Sequence, residues 1–184
     1  MSFYRINYKI KMKIYLVFAV SVLFFLTSCN DAKFNRYPGT KLDSIPIDFR
    51  GIYKDPDSKQ KQENNIIVET NYWMESSKPV KYYLSDSMVF SEYKGLYFMS
   101  STDGPNEYWH VINVRKSGKD LVLYPILFDE KKPYEKNLIT KYFTPQVDAD
   151  SNMVFTMDEE KLWEYSNKEL LKEDPMKLKR KTVK

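Results

Sequence analysis

The sequence predicts a mainly β fold, in which an antiparallel meander forms a barrel or a sandwich and a helix follows at the C-terminus. Two observations predict this class. Segments rich in aromatic and β-branched residues recur between turn signals about 8 to 13 residues apart, a spacing typical of antiparallel sandwiches and barrels. After residue 157, the apolar residues instead recur at helical spacing.

The N-terminal segment is basic at its start, apolar in its middle, and ends at the only cysteine of the chain. Basic residues at positions 5, 9, 11 and 13 precede an apolar run over residues 14–26. A membrane-spanning helix needs about 20 apolar residues, so this shorter run predicts a cleaved secretory signal over residues 1–28. A start at Met12 would give a shorter leader with the same layout.

The tetrad Leu26-Thr27-Ser28-Cys29 closes this segment. It resembles the lipobox of bacterial lipoproteins, in which Leu and two small residues precede an obligatory cysteine. The resemblance implies that signal peptidase recognises Leu26, Thr27 and Ser28, cleaves after residue 28, and leaves Cys29 acylated in the membrane. Several acyl chains on one residue give stable attachment. Asn30, rather than Asp, follows the cysteine, which favours the outer membrane of a Gram-negative envelope.

The charge balance changes when the leader is removed. The full chain carries 29 basic and 25 acidic residues, and the leader holds four basic residues and no acidic one. The mature chain therefore has 29 − 4 = 25 basic and 25 acidic residues. Nucleic-acid binding needs a basic face, so the sequence predicts no nucleic-acid partner. With Cys29 acylated, no thiol remains for a disulfide, and the fold must depend on its core.

The polar segment over residues 29–47, which contains Pro38, Gly39 and Pro46, predicts a flexible tether. A single β-rich domain is expected over residues 48–174. Alternation predicts a strand over residues 66–74. Further strands are predicted over residues 80–84, 88–92, 96–100, 108–114, 121–128 and 153–157. Pro125 cannot donate to a ladder, so we expect it at an edge or a bulge.

Two helices and a tail complete the chain. A short helix is predicted over residues 136–142, ahead of Pro145. Asp158 suits the N-cap of a second helix, of about four turns, that ends before Pro175. Residues 175–184 predict a basic tail that could contact anionic lipid headgroups through Lys177, Lys179, Arg180, Lys181 and Lys184.

Enzyme motifs are missing from the sequence. His110 is the only histidine, which excludes a two-histidine zinc motif, and its place beside Trp109 in a predicted strand favours a structural or exposed role. No G-x-S-x-G, P-loop or Rossmann pattern occurs. The sequence therefore predicts a non-enzymatic protein without a cofactor, although carboxylate-only chemistry, such as glycoside cleavage, needs no motif and stays open.

One acidic segment allows a calcium loop as an alternative to a plain turn. Asp148, Asp150 and Asn152 alternate, and Glu159 stands at the twelfth position of such a loop. Met153, however, stands at the sixth position, where the loop needs Gly for a sharp turn. Asp and Asn are ordinary turn residues, so the sequence favours the turn and predicts no metal.

The segment Gly51-Ile52-Tyr53 opens the predicted domain. It is similar to the Gly-x-Trp motif of lipocalins, with Tyr53 in place of Trp. The resemblance covers these three residues and the order of elements, and it implies an apolar ligand held inside a barrel. In the other interpretation, Tyr53 is a core aromatic residue.

Aromatic residues give the remaining candidate site. Either core packing or a partner surface explains Tyr82, Tyr83, Tyr93, Tyr97, Tyr108 and Trp109. The sequence as a whole predicts a lipid-anchored, non-enzymatic binding module for a protein or glycan partner at the envelope. The alternatives are a lipocalin-like carrier of an apolar ligand, and an inhibitor or immunity lipoprotein. An apolar cavity of several hundred Å³ would favour the carrier.

Overall fold

The computed structural model describes residues 32–54, 65–77, 80–102, 108–129, 131–149 and 151–181. Within these ranges the chain is mainly antiparallel β, with a sheet curled into a half-barrel and a helix near the C-terminus, which confirms the predicted class. The predicted signal peptide and Cys29 lie outside the described residues.

The described strands belong to one connected sheet. They are β1 (Lys33–Phe34), β2 (Thr40–Lys41), β3 (Gly51–Lys54), β4 (Asn65–Val68), β5 (Tyr72–Glu75), β6 (Lys81–Tyr83), β7 (Met88–Tyr93), β8 (Leu96–Ser101), β9 (Trp109–Ser117), β10 (Asp120–Pro125), β11 (Pro145–Val147), β12 (Met153–Phe155) and β13 (Met176–Arg180). The helices are α1 (Pro133–Tyr142) and α2 (Glu159–Lys168), with 3-10 helices at Ile47–Phe49 and Leu170–Lys172.

The half-barrel follows the strand order β2-β7-β8-β9-β10-β13-β3-β4-β5-β6, with antiparallel pairing throughout. A smaller wing, β11-β12-β1, joins the free end of β9 through β1. β1 pairs with β12 in parallel, with Phe34 opposite Phe155.

The central strands β8 and β9 present two different faces, because successive side chains of a strand point in opposite directions. Phe98 and Val111 lie on the outer face and pack against the helices and the wing. Met99 and Ile112, the next residue in each strand, lie on the concave inner face.

The outer face is covered by a dense aromatic core. Phe34 packs edge-on against Phe143, with ring centroids 5.1 Å apart, and Phe128 packs the same way against Phe155, at 5.0 Å. Leu162 of α2 is 1% exposed in the same cluster. The Arg115 guanidinium joins the sheet to the C-terminal end of α2, because it donates to the Ser166 carbonyl at 2.7 Å.

Two segments differ from their predicted roles. The predicted tether is part of the fold from residue 32 onward, since Ala32, Phe34 and Ile45 are buried and β1 and β2 pair with other strands. The predicted basic tail contains β13, which lies between β10 and β3. Its Leu178 is 1% exposed and points into the half-barrel, while Lys177 and Lys179 point to solvent.

The long strand predicted over residues 66–74 is a hairpin. The chain turns between β4 and β5, where the Glu69 amide donates to the Tyr72 carbonyl at 2.9 Å. Val68 therefore pairs with Trp73, and both line the concave face. Other predictions hold more closely. Asp158 caps α2 by accepting from the Lys161 amide at 3.1 Å, and Pro125 is the last residue of β10, where its missing donor costs no ladder bond to β13.

Candidate functional site

The concave face of the half-barrel encloses an apolar cavity of about 420 Å³. We call this cavity the trough. Seven strands of the half-barrel and the segment before β3 form its wall. Among the described residues the wall consists of Ile45, Phe49, Ile66, Val68, Trp73, Glu75, Met88, Phe90, Met99, Ser101, Ile112, Val114, Leu121, Leu123, Pro125, Met176 and Leu178. A volume of this size lies within the range of about 300–1,000 Å³ that is usual for small-molecule sites.

The wall is chemically simple. Among the described residues that line it, Glu75 is the one ionisable side chain and Ser101 contributes the one hydroxyl. Met88, Met99 and Met176 supply flexible thioethers, which adapt their shape to irregular apolar surfaces. Such a wall suits an apolar ligand of variable shape, with any polar group near Glu75 or Ser101.

One end of the trough is closed by the 3-10 helix. The Phe49 ring packs against Tyr97 and Phe90, with centroids 4.8 Å and 5.6 Å away. The buried Tyr53 hydroxyl donates to the Phe49 carbonyl at 2.9 Å, which fixes this 3-10 helix, Ile47–Phe49, to β3. We call this helix the plug. Burial raises the pKa of the Tyr53 phenol above its ordinary value.

Charged side chains hold the same end from outside. The Arg50 guanidinium donates to the Ile45 carbonyl at 2.7 Å, and Arg180 donates to the Arg50 carbonyl at 2.8 Å. The Arg180 amide in turn donates to Asp120 at 2.9 Å. Charged groups thus brace the closed end from outside.

The other end of the trough forms a rim. Strand register brings Met88 opposite Ser101, Pro125 opposite Ile112 and Met176 opposite Leu123, at the ends of β7, β8, β10 and β13 that lie away from Phe49. Glu75 ends β5 on the facing wall. We define the rim as Glu75, Met88, Ser101, Pro125 and Met176.

The described chain begins beside this rim. The Ala32 amide donates to the Ile126 carbonyl at 2.8 Å, and Ile126 directly follows the rim residue Pro125. Cys29 precedes Ala32 by three residues. Because consecutive Cα atoms are about 3.8 Å apart, a stretch of three residues spans at most about 11 Å.

The six aromatic candidates do not form a single surface. Tyr97 lies against the plug, and the Tyr93 hydroxyl donates to Glu160 of α2 at 2.7 Å. Trp109 packs on Tyr37 at 5.0 Å. Tyr108 is partly exposed ahead of β9.

Tyr82 and Tyr83 lie on opposite faces of the edge strand β6. Tyr82 stacks on Trp73, with centroids 4.4 Å apart. Tyr83 is 51% exposed and pairs with Tyr72 at 5.4 Å, and the Lys81 ammonium lies 4.5 Å from the Tyr72 centroid. These outer residues, Tyr72, Lys81 and Tyr83, make a small exposed patch.

The candidate calcium ligands have other partners. Asp148 accepts from the Asn152 amide at 2.8 Å, as in an ordinary turn. Glu159 accepts from Arg36 at 2.6 Å and from the Gly39 amide at 3.1 Å, and Arg36 holds the pKa of Glu159 below its usual range. Asp150 lies outside the described residues.

Within the described ranges, His, Cys, Asp and Glu side chains nowhere gather in a group of three that could hold a metal ion. His110 lies in β9, opposite Ser101 and Lys33. The same ranges include no helix that has both the length and the apolar character needed to cross a membrane.

Comparison with known proteins gives no match: no family model fits the chain, no curated protein resembles it in sequence, and no solved structure resembles it in fold. The site therefore rests on its own geometry. Sequence patterns missed the trough, although β7, β8 and β9 carry its apolar residues at alternate positions. That alternation predicts an inward face, but not whether the space before it is filled.

Proposed function

We propose that the protein is a lipid-anchored envelope protein that holds an apolar ligand in the trough without chemically changing it. The apolar cavity of about 420 Å³ carries this proposal. Its lining offers an elongated apolar molecule extensive contact, and Glu75 and Ser101 give a polar end group a place at the rim. The carrier alternative of the sequence analysis thus becomes the leading function.

The proposed anchor at Cys29 supports a role at the membrane. Acyl chains on Cys29 would keep the trough within reach of lipids, because the chain joins the fold at Ala32 beside the rim. Incorporation of a palmitate analogue should be lost in Cys29→Ala, whereas Ser28→Ala, which keeps a small residue before the cysteine, should still be labelled. Labelling of Cys29→Ala would remove the anchor from the proposal.

Ligand binding can be tested with an apolar fluorescent probe. The mature chain with Cys29→Ser should increase the fluorescence of N-phenyl-1-naphthylamine saturably, and long-chain acyl esters should displace the probe. The Trp73 indole in the wall gives a second signal, because a bound ligand changes its surroundings. Fluorescence that rises in proportion to protein, without saturation or displacement, would count against a defined site.

A second function is supported by the patch formed by Tyr72, Lys81 and Tyr83. Lys81 and Tyr83 of the patch lie on the edge strand β6, and edge strands can pair with an added strand of a partner. It suits the protein or glycan partner predicted from the sequence, including an enzyme inhibited by an immunity lipoprotein. A partner recovered from envelope extract by the wild-type chain should be lost with Tyr83→Ser and kept with Ile47→Ser, an exposed apolar residue elsewhere.

A further inference from the structure

We propose that the rim of the trough lies against the lipid bilayer, so that an apolar ligand passes between the membrane and the trough without crossing water. This inference rests on the proposed acylation of Cys29. It adds an orientation that neither the anchor nor the cavity supplies separately.

The length of the anchoring segment limits how far the rim can lie from the membrane. The described part of the chain begins at Ala32, which is fully buried and donates a hydrogen bond to Ile126, so at most residues 29–31 separate the proposed anchor from a fixed point of the fold. Three residues span at most about 11 Å, roughly a third of the thickness of a bilayer core. An acylated Cys29 therefore holds the neighbourhood of Ile126 close to the membrane surface.

Exposed apolar side chains surround that neighbourhood. Met176 on the rim is 50% exposed, and Leu127, two residues after Pro125, is 43% exposed. Val80 directly precedes β6, at the end of the hairpin β5-β6 where Glu75 lies, and is 51% exposed. Scattered apolar residues are normal on protein surfaces, but these three lie at the end of the half-barrel where the anchor joins. There they can enter the interfacial layer of a bilayer.

The closed end has the opposite character. Arg50, Arg180 and Asp120 occupy it, and their hydrogen bonds to backbone groups keep the plug in place. Charged groups lose hydration when they enter lipid, which disfavours that end as the membrane face. The closed end is thus braced by several charged groups, whereas the rim has one carboxylate, Glu75, beside the apolar Met88, Pro125 and Met176.

Single-cysteine labelling of the full chain tests this orientation. Cys29 is the only cysteine and is consumed by acylation, so Leu127→Cys, Met176→Cys and the matched control Ile47→Cys would each supply one reactive thiol. Ile47 is apolar and 74% exposed, and it lies beside the plug at the closed end. Each variant is labelled with an environment-sensitive fluorophore and reconstituted into vesicles that contain brominated phospholipid.

We expect several-fold stronger quenching at positions 127 and 176 than at position 47. Stronger quenching at position 47 would overturn the orientation. Equal, weak quenching at all three positions would also overturn it, provided that the labelled chain floats with the vesicles. The parent chain separates this result from failure of the proposed anchor. If it takes up the thiol dye or does not float with vesicles, Cys29 is not acylated and the inference falls with the anchor.

Discussion

The two faces of β9 show how one strand can serve two different cores. On the outer face, Val111 is 2% exposed and packs into a cluster closed by α1, α2 and the wing. On the inner face, the adjacent Ile112 borders the trough. Both residues are β-branched, both belong to a central strand, and only the elements opposite them differ. Burial in the sheet therefore does not imply dense packing on both sides.

The difference has an energetic meaning. A side chain in a filled core touches partners on all sides, and its loss leaves a new cavity. A side chain that borders an existing cavity already lacks partner atoms on one side. We expect the outer face to carry most of the stability and the inner face to carry the ligand contacts.

The largest expected effect is on the outer face. Phe155 is fully buried and packs against Phe128 and Phe34, so Phe155→Ala should lower the free energy of unfolding by about 3–5 kcal/mol. Met99→Ala on the inner face should lower the free energy of unfolding by only about 1 kcal/mol, because part of the methionine side chain faces the cavity and contacts no other protein atoms there. Urea unfolding followed by circular dichroism measures both. Equal losses would mean that the trough is filled in solution.

A matched pair of larger residues should separate stability from binding. Val111→Phe overpacks the filled face and should cost about 1–3 kcal/mol. Ile112→Phe enters the trough, where space exists, and should cost less than about 1 kcal/mol while weakening ligand binding at least tenfold, or about 1.4 kcal/mol. Urea unfolding and displacement of the naphthylamine probe measure the two quantities.

The pair also has an outcome that would contradict the comparison. If Ile112→Phe destabilised the fold as much as Val111→Phe and left probe binding unchanged, the inner face would be an ordinary core. The ligand would then have to bind elsewhere on the molecule.

The sequence predicted the strands whose alternation is regular and the helix whose cap is explicit. β7, β8 and β9 follow alternating apolar positions, and Asp158 marks the start of α2. The turn after β4 escaped prediction because Thr70 and Asn71 turn the chain without Gly or Pro.

β13 escaped prediction for a different reason. Its outward residues are lysines, and Leu178 is the single fully buried side chain among its five residues. Because of these lysines the segment resembles a charged tail, although it forms a strand between β10 and β3 of the half-barrel. The trough could not be predicted either, because its volume depends on the curvature of the sheet, which sets the distance between opposite strands.

The smallest expected effect concerns a contact that ties the outer cluster to the start of the fold. Glu159, in the first turn of α2, binds Arg36 and the Gly39 amide, and Arg36 lowers its pKa. A carboxyl with a lowered folded-state pKa stabilises the fold above the unfolded pKa of about 4.3, and this contribution is lost as the pH falls through the folded value.

Glu159→Gln should therefore flatten the decline of the urea midpoint below about pH 4.3, with a smaller loss at neutral pH than Phe155→Ala. Glu173→Gln, which removes an exposed acid after α2, controls for the loss of one surface charge. A wild-type pH profile of the urea midpoint in Glu159→Gln would show that this carboxylate does not contribute to the pH dependence of stability.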